Sequence, residues 1–86
     1  MSSDDKEKTA VYERICELIA PFNKKRIALE PATTFAGDLD FDSLTVMDLV
    51  AAIEDEFDIV LPLNMLPDLE TIEEVAEAVV RIRKSR

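Results

Sequence analysis

Asp42 and Ser43 stand where a carboxylate, a hydroxyl and the predicted start of a helix meet. Either side chain could cap that helix. As an enzymatic nucleophile Ser43 would need a base, yet the chain has no His and no Lys within seventeen residues of it. If Ser43 takes part in chemistry, another protein must supply the catalytic groups. The serine would then be a substrate, with any attached phosphate favoured by the helix N-terminus.

The alternating aspartates before this serine also have the spacing that opens an EF-hand calcium loop. Asp38, Asp40 and Asp42 match its first ligands, but Ser43 stands where the loop needs Gly and Leu49 where it needs Glu. The sequence therefore predicts no dedicated metal site. A weak divalent-ion site among these acids stays open.

Hydrophobic periodicity predicts an all-α fold, with three main helices and one short one in a single domain over residues 1–86. The predicted helices cover residues 4–20, 43–57, 63–67 and 72–84. Pro21 should end or kink the first helix, and Thr71 with Glu74 forms a capping box at the last. Residues 23–42 make a long loop, which Phe35 and Leu39 could pin to the core.

The helix that begins at Ser43 has two apolar faces instead of one. Val46, Val50, Ile53 and Phe57 fall on one side and are predicted to be core. The opposite side mixes apolar and acidic residues, which is typical of a docking surface. Its members are Leu44, Met47, Asp48, Ala51, Glu54 and Asp55.

Charge along the chain favours basic partners. The formal net charge is −9, and residues 27–80 carry fourteen carboxylates without a Lys or Arg. Such a surface disfavours nucleic acid as a partner and can steer basic proteins. With one cysteine, the chain forms no internal disulfide, and Cys16 is predicted to be a half-buried structural residue. No apolar run reaches membrane-spanning length, and the polar, acidic start at residues 1–5 predicts a cytoplasmic protein.

The sequence from Asp38 through the serine to Pro62 resembles the acyl carrier protein family. The motifs that carry this resemblance are Asp42-Ser43-Leu44, the acidic end Glu54-Asp55-Glu56-Phe57 of the following helix, and Leu61-Pro62 after it. The resemblance extends over the whole chain. The tripeptide alone is common, whereas its combination with this helix is specific.

The resemblance implies a four-helix carrier that is not itself an enzyme, and a monomer. A phosphopantetheinyl transferase would attach 4′-phosphopantetheine from coenzyme A to Ser43, and the thiol of this arm would carry an acyl group as a thioester. Asp42 and Leu44 would flank the arm for the transferase. Met47, Asp48 and Glu54 would face acyl-loading and acyl-transfer enzymes with basic docking patches. Candidates to line an acyl-chain pocket are Phe35, Leu39, Val50, Ile53, Leu66 and Ile72, for which ordinary core packing is an equal alternative.

Three departures from the common bacterial fatty-acid carriers favour a dedicated pathway over housekeeping fatty-acid synthesis. Asp40 replaces their usual Gly, Thr45 replaces an acid, and the short helix that is commonly acidic reads Leu63-Asn64-Met65-Leu66. The segment 57–62 also resembles D-alanine carriers of cell-wall modification, so an aminoacyl cargo remains an alternative. In a different class, the chain could be an acidic helical adaptor that binds a basic partner and carries no arm.

Overall fold

The computed structural model describes residues 3–85, with side chains from Lys6 onward, so Met1, Ser2 and Arg86 of the predicted domain lie outside the described residues. The described chain is helical, which confirms the all-α prediction. Three α-helices, α1 to α3, and two 3₁₀ helices follow one another. In order they are α1 Ser3–Ile19, the 3₁₀ helix Ala20–Phe22, α2 Ser43–Phe57, the 3₁₀ helix Leu63–Asp68 and α3 Ile72–Lys84.

The first helix ends where its proline predicts. Pro21 has no N–H to continue the α-helical ladder, and the chain tightens into the short 3₁₀ helix one residue before the predicted end. The Asn23 side chain then closes the next turn, because it both donates to the Ile27 carbonyl at 2.9 Å and accepts from the Ile27 N–H at 3.3 Å. This turn sends the chain into the long loop.

The core lies where the three α-helices meet. Ile15 and Ile19 of α1, Ile53 of α2 and Ile72 and Val79 of α3 are essentially inaccessible to water. Ile15, Ile53, Ile72 and Val79 lie on the faces that the periodicity predicts, whereas Ile19 is buried in place of Leu18, which the periodicity favours and which is half-buried. Burial of such aliphatic side chains supplies most of the stability of a chain with one free cysteine and no disulfide.

The long loop of residues 23–42 is ordered by buried anchors and by hydrogen bonds. Phe35 and Leu39 are buried in the core, as predicted. Thr34 and Asp38 bond reciprocally, each backbone N–H donating to the other side chain at 2.9 Å. An isolated antiparallel bridge pairs Thr34 with Thr71, so the loop is also attached to the start of α3. These hydrogen bonds satisfy part of the loop's backbone without regular secondary structure.

The predicted capping box at α3 is confirmed. Thr71 Oγ1 accepts from the Glu74 N–H at 3.2 Å, and Glu74 Oε1 accepts from the Thr71 N–H at 2.9 Å. At the other end of α3, Arg83 lies over the Phe57 ring at 5.8 Å from its centroid. This contact joins the ends of α2 and α3.

Candidate functional site

The N-cap of α2 is Asp42, which decides between the two residues that the sequence left open. Its backbone is extended, and its Oδ1 accepts a hydrogen bond from the Thr45 N–H at 2.8 Å. This hydrogen bond holds the pKa of Asp42 below its usual value, because it stabilises the charged carboxylate. The cap is therefore a carboxylate.

Ser43 is the first residue of α2, and its side chain is exposed. Because Asp42 already caps the helix, the serine hydroxyl is not needed for capping. Within residues 3–85 the Ser43 hydroxyl makes no side-chain hydrogen bond. Its oxygen lies at the positive end of the helix dipole, where backbone N–H groups favour an anion. An exposed hydroxyl in this position fits a phosphate ester such as that of 4′-phosphopantetheine.

A groove of about 470 Å³ lies beside the helix start. Lys24 and Lys25 line it together with Asp42 and Thr45, although they are distant in sequence. The Lys25 ammonium approaches the Asp40 carboxylate at 3.8 Å. The fold thus brings cations close to the capping aspartate, which spacing along the chain did not reveal. Ser43 is not part of the lining. Among the described residues no hydrogen bond joins its hydroxyl to either lysine.

Asp40 has a left-handed backbone, with φ of 57°. This position corresponds to the Gly of the common fatty-acid carriers, and the structure supplies a physical reason for that Gly. Glycine adopts positive φ without steric cost, while Asp is one of the few other residues that tolerate it. Asp40 therefore holds a left-handed turn before Ser43 that Gly would also adopt.

Three phenylalanine rings hold the chain just before the motif. Phe41 stacks on Phe35 with ring centroids 6.2 Å apart and meets Phe22 edge to face at 6.4 Å. Its backbone N–H also donates to the Phe35 carbonyl at 2.8 Å. These contacts position the entry to α2 against the end of α1.

The outward face of α2 contains five of the six predicted partner residues in exposed positions. Leu44 is 72% exposed and Met47 44%. Asp48, Ala51 and Asp55 are also exposed.

Glu54 differs from the rest of this set. It is half-buried, and its Oε2 accepts a hydrogen bond from the Leu61 N–H at 2.8 Å. The carboxylate thus ties the end of α2 to the following segment, a role that the helical wheel could not show because the donor lies outside the helix.

An apolar cavity of about 30 Å³ lies between α2, α3 and the 63–68 helix. Four predicted pocket residues line it: Phe35, Val50, Ile53 and Leu66. The predicted residues Leu39 and Ile72 are buried in the core and are not part of this lining. Sequence reasoning missed five further lining residues, namely Val46, Leu49, Leu61, Leu69 and Val75.

The size of this cavity limits what it holds at rest. A space of about 30 Å³ accommodates one or two water-sized groups. A longer acyl chain enters only if the walls move. Leu66 is the best candidate to move, because it comes from a short 3₁₀ helix in which no residue is fully buried, and Leu69 follows directly after that helix.

Two of the aspartates that match the start of an EF-hand loop, Asp38 and Asp42, accept local backbone hydrogen bonds. Asp38 Oδ2 accepts from the Thr34 N–H, and Asp42 caps α2. Among the side chains described, from Lys6 to Ser85, no group of three His, Cys, Asp or Glu residues is arranged to hold a metal ion. Cys16 is half-buried, as predicted, and burial raises the pKa of its thiol.

Comparison with known proteins identifies the family. The model of the phosphopantetheine attachment site matches residues 13–79. The chain belongs to this family of acyl carrier proteins. Members of the family are carriers of 4′-phosphopantetheine and not enzymes.

Several acyl carrier proteins are similar to this chain. A putative mitochondrial acyl carrier protein of Schizosaccharomyces pombe is 36% identical over 85% of this chain and 64% of its own length. A mitochondrial acyl carrier protein of Saccharomyces cerevisiae is 34% identical over 81% of this chain and 60% of its own. An acyl carrier protein of Thermobifida fusca is 38% identical over 52% and 57%. The matched part of this acyl carrier is about three fifths of these relatives' length.

In the part of the carrier that the structure describes, no helix is both long enough and apolar enough to cross a bilayer.

Proposed function

We propose that Ser43 is the attachment residue of this carrier and that residues 1–86 form one carrier domain. The observation that supports this most directly is at the start of α2. Asp42 caps the helix, so the exposed Ser43 hydroxyl is not needed as a cap. The arm, once attached, supplies a thiol that holds an acyl group as a thioester. The chain itself contributes the acceptor oxygen, the helix N-terminus that favours the phosphate, and the recognition surface.

The transferase supplies the base, because the chain has no His and, among the described residues, no hydrogen bond joins Lys24 or Lys25 to the Ser43 hydroxyl. In this proposal Asp42 and Leu44 flank the acceptor. Leu44, Met47, Asp48, Ala51 and Asp55 form the surface read by basic partner enzymes, with Glu54 contributing through its hold on Leu61. The apolar cavity shelters the start of an acyl chain.

Arm attachment is tested by incubating the protein with coenzyme A, Mg²⁺ and two broad-specificity phosphopantetheinyl transferases, followed by intact mass measurement. Wild type should gain the mass of one phosphopantetheine, whereas Ser43→Ala should gain none. Ser85→Ala is the matched control, because Ser85 is also an exposed serine and should leave the modification intact. An unmodified wild type with both enzymes would favour the adaptor function instead.

We favour a dedicated lipid or fatty-acid pathway. The short helix 63–68 begins with the exposed Leu63, whereas the short helix of the common bacterial fatty-acid carriers is usually acidic. The test is replacement of a housekeeping carrier by this chain in a bacterial strain. Efficient growth would contradict a dedicated role.

An aminoacyl cargo is the alternative. To distinguish it, the protein that carries the arm is incubated either with acyl-loading enzymes or with a ligase that loads D-alanine onto carriers. The mass of the thioester then identifies the cargo.

We also propose that the carrier is a monomer in the cytoplasm. Its formal charge of −9 opposes self-association, and sedimentation at several concentrations tests the monomer. Two relatives are named as mitochondrial. Fractionation of the source cells should find the chain in the cytosolic fraction, and its recovery in mitochondria would replace this part of the proposal.

A further inference from the structure

Glu54 holds the segment that follows α2 with both its backbone and its side chain. Its backbone carbonyl oxygen accepts the Asp58 N–H, where the helix ends, and the Ile59 N–H at 3.1 Å. Its side-chain Oε2 accepts the Leu61 N–H at 2.8 Å. Asp58 has a left-handed backbone, with φ of 54°, which is a common way to end an α-helix. A single residue near the end of α2 thus fixes the chain as far as Leu61.

The hydrogen bond to the Glu54 side chain bears on the apolar cavity, because Leu61 forms part of the cavity wall. The Leu61 side chain is buried and lines the cavity of about 30 Å³ together with Ile53, the residue before Glu54. Outward movement of the Leu61 backbone would break its hydrogen bond to Glu54 Oε2. Such a bond is costly to lose, because the acceptor is a carboxylate and its side chain is half-buried.

The short helix 63–68 holds another part of the same wall less firmly. Its Leu66 side chain also lines the cavity but is only half-buried. In the described chain no side chain caps the start of this helix, none of its residues is fully buried, and Pro67 within it has no N–H to donate. Room for a longer acyl chain therefore opens by movement of Leu66, while Glu54 keeps Leu61 in place.

We propose that Glu54 is a positioning residue that limits the length of the acyl chain sheltered in the cavity, because its carboxylate holds Leu61 in the wall. The inference rests on the proposed function, since the acyl chain reaches the cavity from an arm on Ser43. A chain that outgrows the resting space displaces Leu66 and leaves Leu61 where it is. Glu54 acts through the Leu61 backbone and not through contact with the chain.

The hydrogen bond is tested first in the full-length unmodified protein, where Ser43 plays no part. Glu54→Ala should speed hydrogen exchange of the Leu61 amide by about tenfold relative to a core amide such as that of Ile15, because the acceptor is lost. Glu54→Gln should keep most of the protection, since its amide oxygen also accepts. Xenon, which enters dry apolar cavities, should shift the Leu61 methyl resonances more in Glu54→Ala than in wild type.

Asp55→Ala is the matched control. It removes the neighbouring exposed carboxylate, which makes no hydrogen bond to residues 59–62 in the described chain, and it should behave like wild type in both measurements. The core amide reports any general loss of stability, so a variant that is merely less stable is recognised as such.

The acyl chain is tested next, with arms that carry saturated acyl groups of increasing length and with loading checked by intact mass. In wild type and Asp55→Ala the Leu61 methyl shifts should stop changing at a short chain, whereas those of Leu66 go on changing. In Glu54→Ala the Leu61 methyls should respond to longer chains as well, and Glu54→Gln should restore the wild-type limit.

The same limit in all four proteins would overturn the proposal, and so would an equal effect of Asp55→Ala. Unchanged Leu61 exchange and xenon response in Glu54→Ala would also overturn it. If no arm is added to the protein, the function proposed for Ser43 fails, and the measurements on the unmodified protein still decide whether Glu54 holds the cavity wall.

Discussion

Helices α2 and α3 both begin beside a hydroxyl residue, but the two hydroxyls have different roles. At α3 the hydroxyl belongs to the cap itself, and Thr71 Oγ1 accepts from the Glu74 N–H and contacts Glu74 Oε1, both at 3.2 Å. At α2 the cap is Asp42, and the hydroxyl of Ser43 comes one residue later and is exposed. A shift of one position separates a hydroxyl that caps its helix from one that is exposed and takes no part in capping.

The largest expected difference is in stability. Thr71→Val keeps the shape of the side chain but removes the capping oxygen, and should lower the free energy of unfolding by about 1 kcal/mol. For a domain of this size that corresponds to a fall in Tm of about 4–8 °C. Ser43→Ala should change the free energy of unfolding by less than about 0.5 kcal/mol, because it removes an exposed and unbonded hydroxyl.

Thermal and urea unfolding of both variants measures this difference. Thr71→Ser is the control, since it retains the oxygen and should keep most of the cap. If Ser43→Ala and Thr71→Val lowered the free energy of unfolding equally, Ser43 would also contribute to capping.

The second prediction separates the cap of α2 from its charge. Asp42→Asn retains a good capping oxygen, while Asp42→Ala removes it. We expect Asp42→Ala to lower Tm and Asp42→Asn to leave it closer to wild type. If the transferase reads the charge, both should slow arm addition, which a time course of intact masses measures. Slow addition by the alanine variant alone would mean that helix geometry matters and charge does not.

Regular elements could be predicted from the sequence because their causes are local. The bounds of α2 and α3 agree with the periodicity, and the capping box follows from two residues three apart. Phe35 and Leu39 are buried as anchors of the long loop. The helix bounds and the cap depend on neighbours along the chain, and the burial of Phe35 and Leu39 could be predicted because large apolar side chains are usually buried.

Features that depend on contacts between distant segments could not be predicted. Glu54 lies on the outward side of the helical wheel, yet it is held by the backbone of Leu61, beyond the helix. Lys24 and Lys25 approach Asp42 only after the loop folds back. The exposure of Val60 follows from the burial of both its neighbours, which the alternating segment 59–61 could have indicated.

The third prediction concerns the residue two positions before each cap. Asp40 before α2 has φ of 57°, whereas Leu69 before α3 has φ of −96°. Asp40→Ala should therefore destabilise the protein by about 0.5–1 kcal/mol, since Ala tolerates the left-handed region less well. Leu69 would not show this dependence on φ.

Asp40→Gly tests the same backbone from the other side. Glycine relieves the strain but gives the unfolded chain more freedom, so the change should stay within about 0.5 kcal/mol of wild type. Chemical denaturation measures both variants, and a Gly variant much less stable than the Ala variant would contradict the role assigned to φ.

The smallest expected effect is the pH dependence of the α2 cap. The Thr45 N–H lowers the pKa of Asp42, so the folded state favours the ionised carboxylate. Because the pKa is lower in the folded state, the ionised Asp42 cap contributes its full stability above the unfolded-state pKa of about 3.9. That stability is lost as the pH falls through the folded-state pKa. At α3 the oxygen that accepts from the Glu74 N–H is the Thr71 hydroxyl, which does not titrate in this range, so this hydrogen bond should persist throughout.

Thermal unfolding of wild type and Asp42→Asn between about pH 6 and pH 3 measures this contribution, because the amide resembles the protonated acid and does not titrate. We expect the Tm advantage of wild type to shrink below about pH 4. The pKa of Glu56 is also lowered, by its hydrogen bond from Arg14, so both proteins should lose stability in acid for that shared reason. Repeating the comparison in a Glu56→Gln background removes the shared loss. If the Tm difference between wild type and Asp42→Asn stays constant down to about pH 3, the charge of Asp42 is not needed for the cap. The oxygen alone would then cap α2, as the Thr71 hydroxyl does at α3.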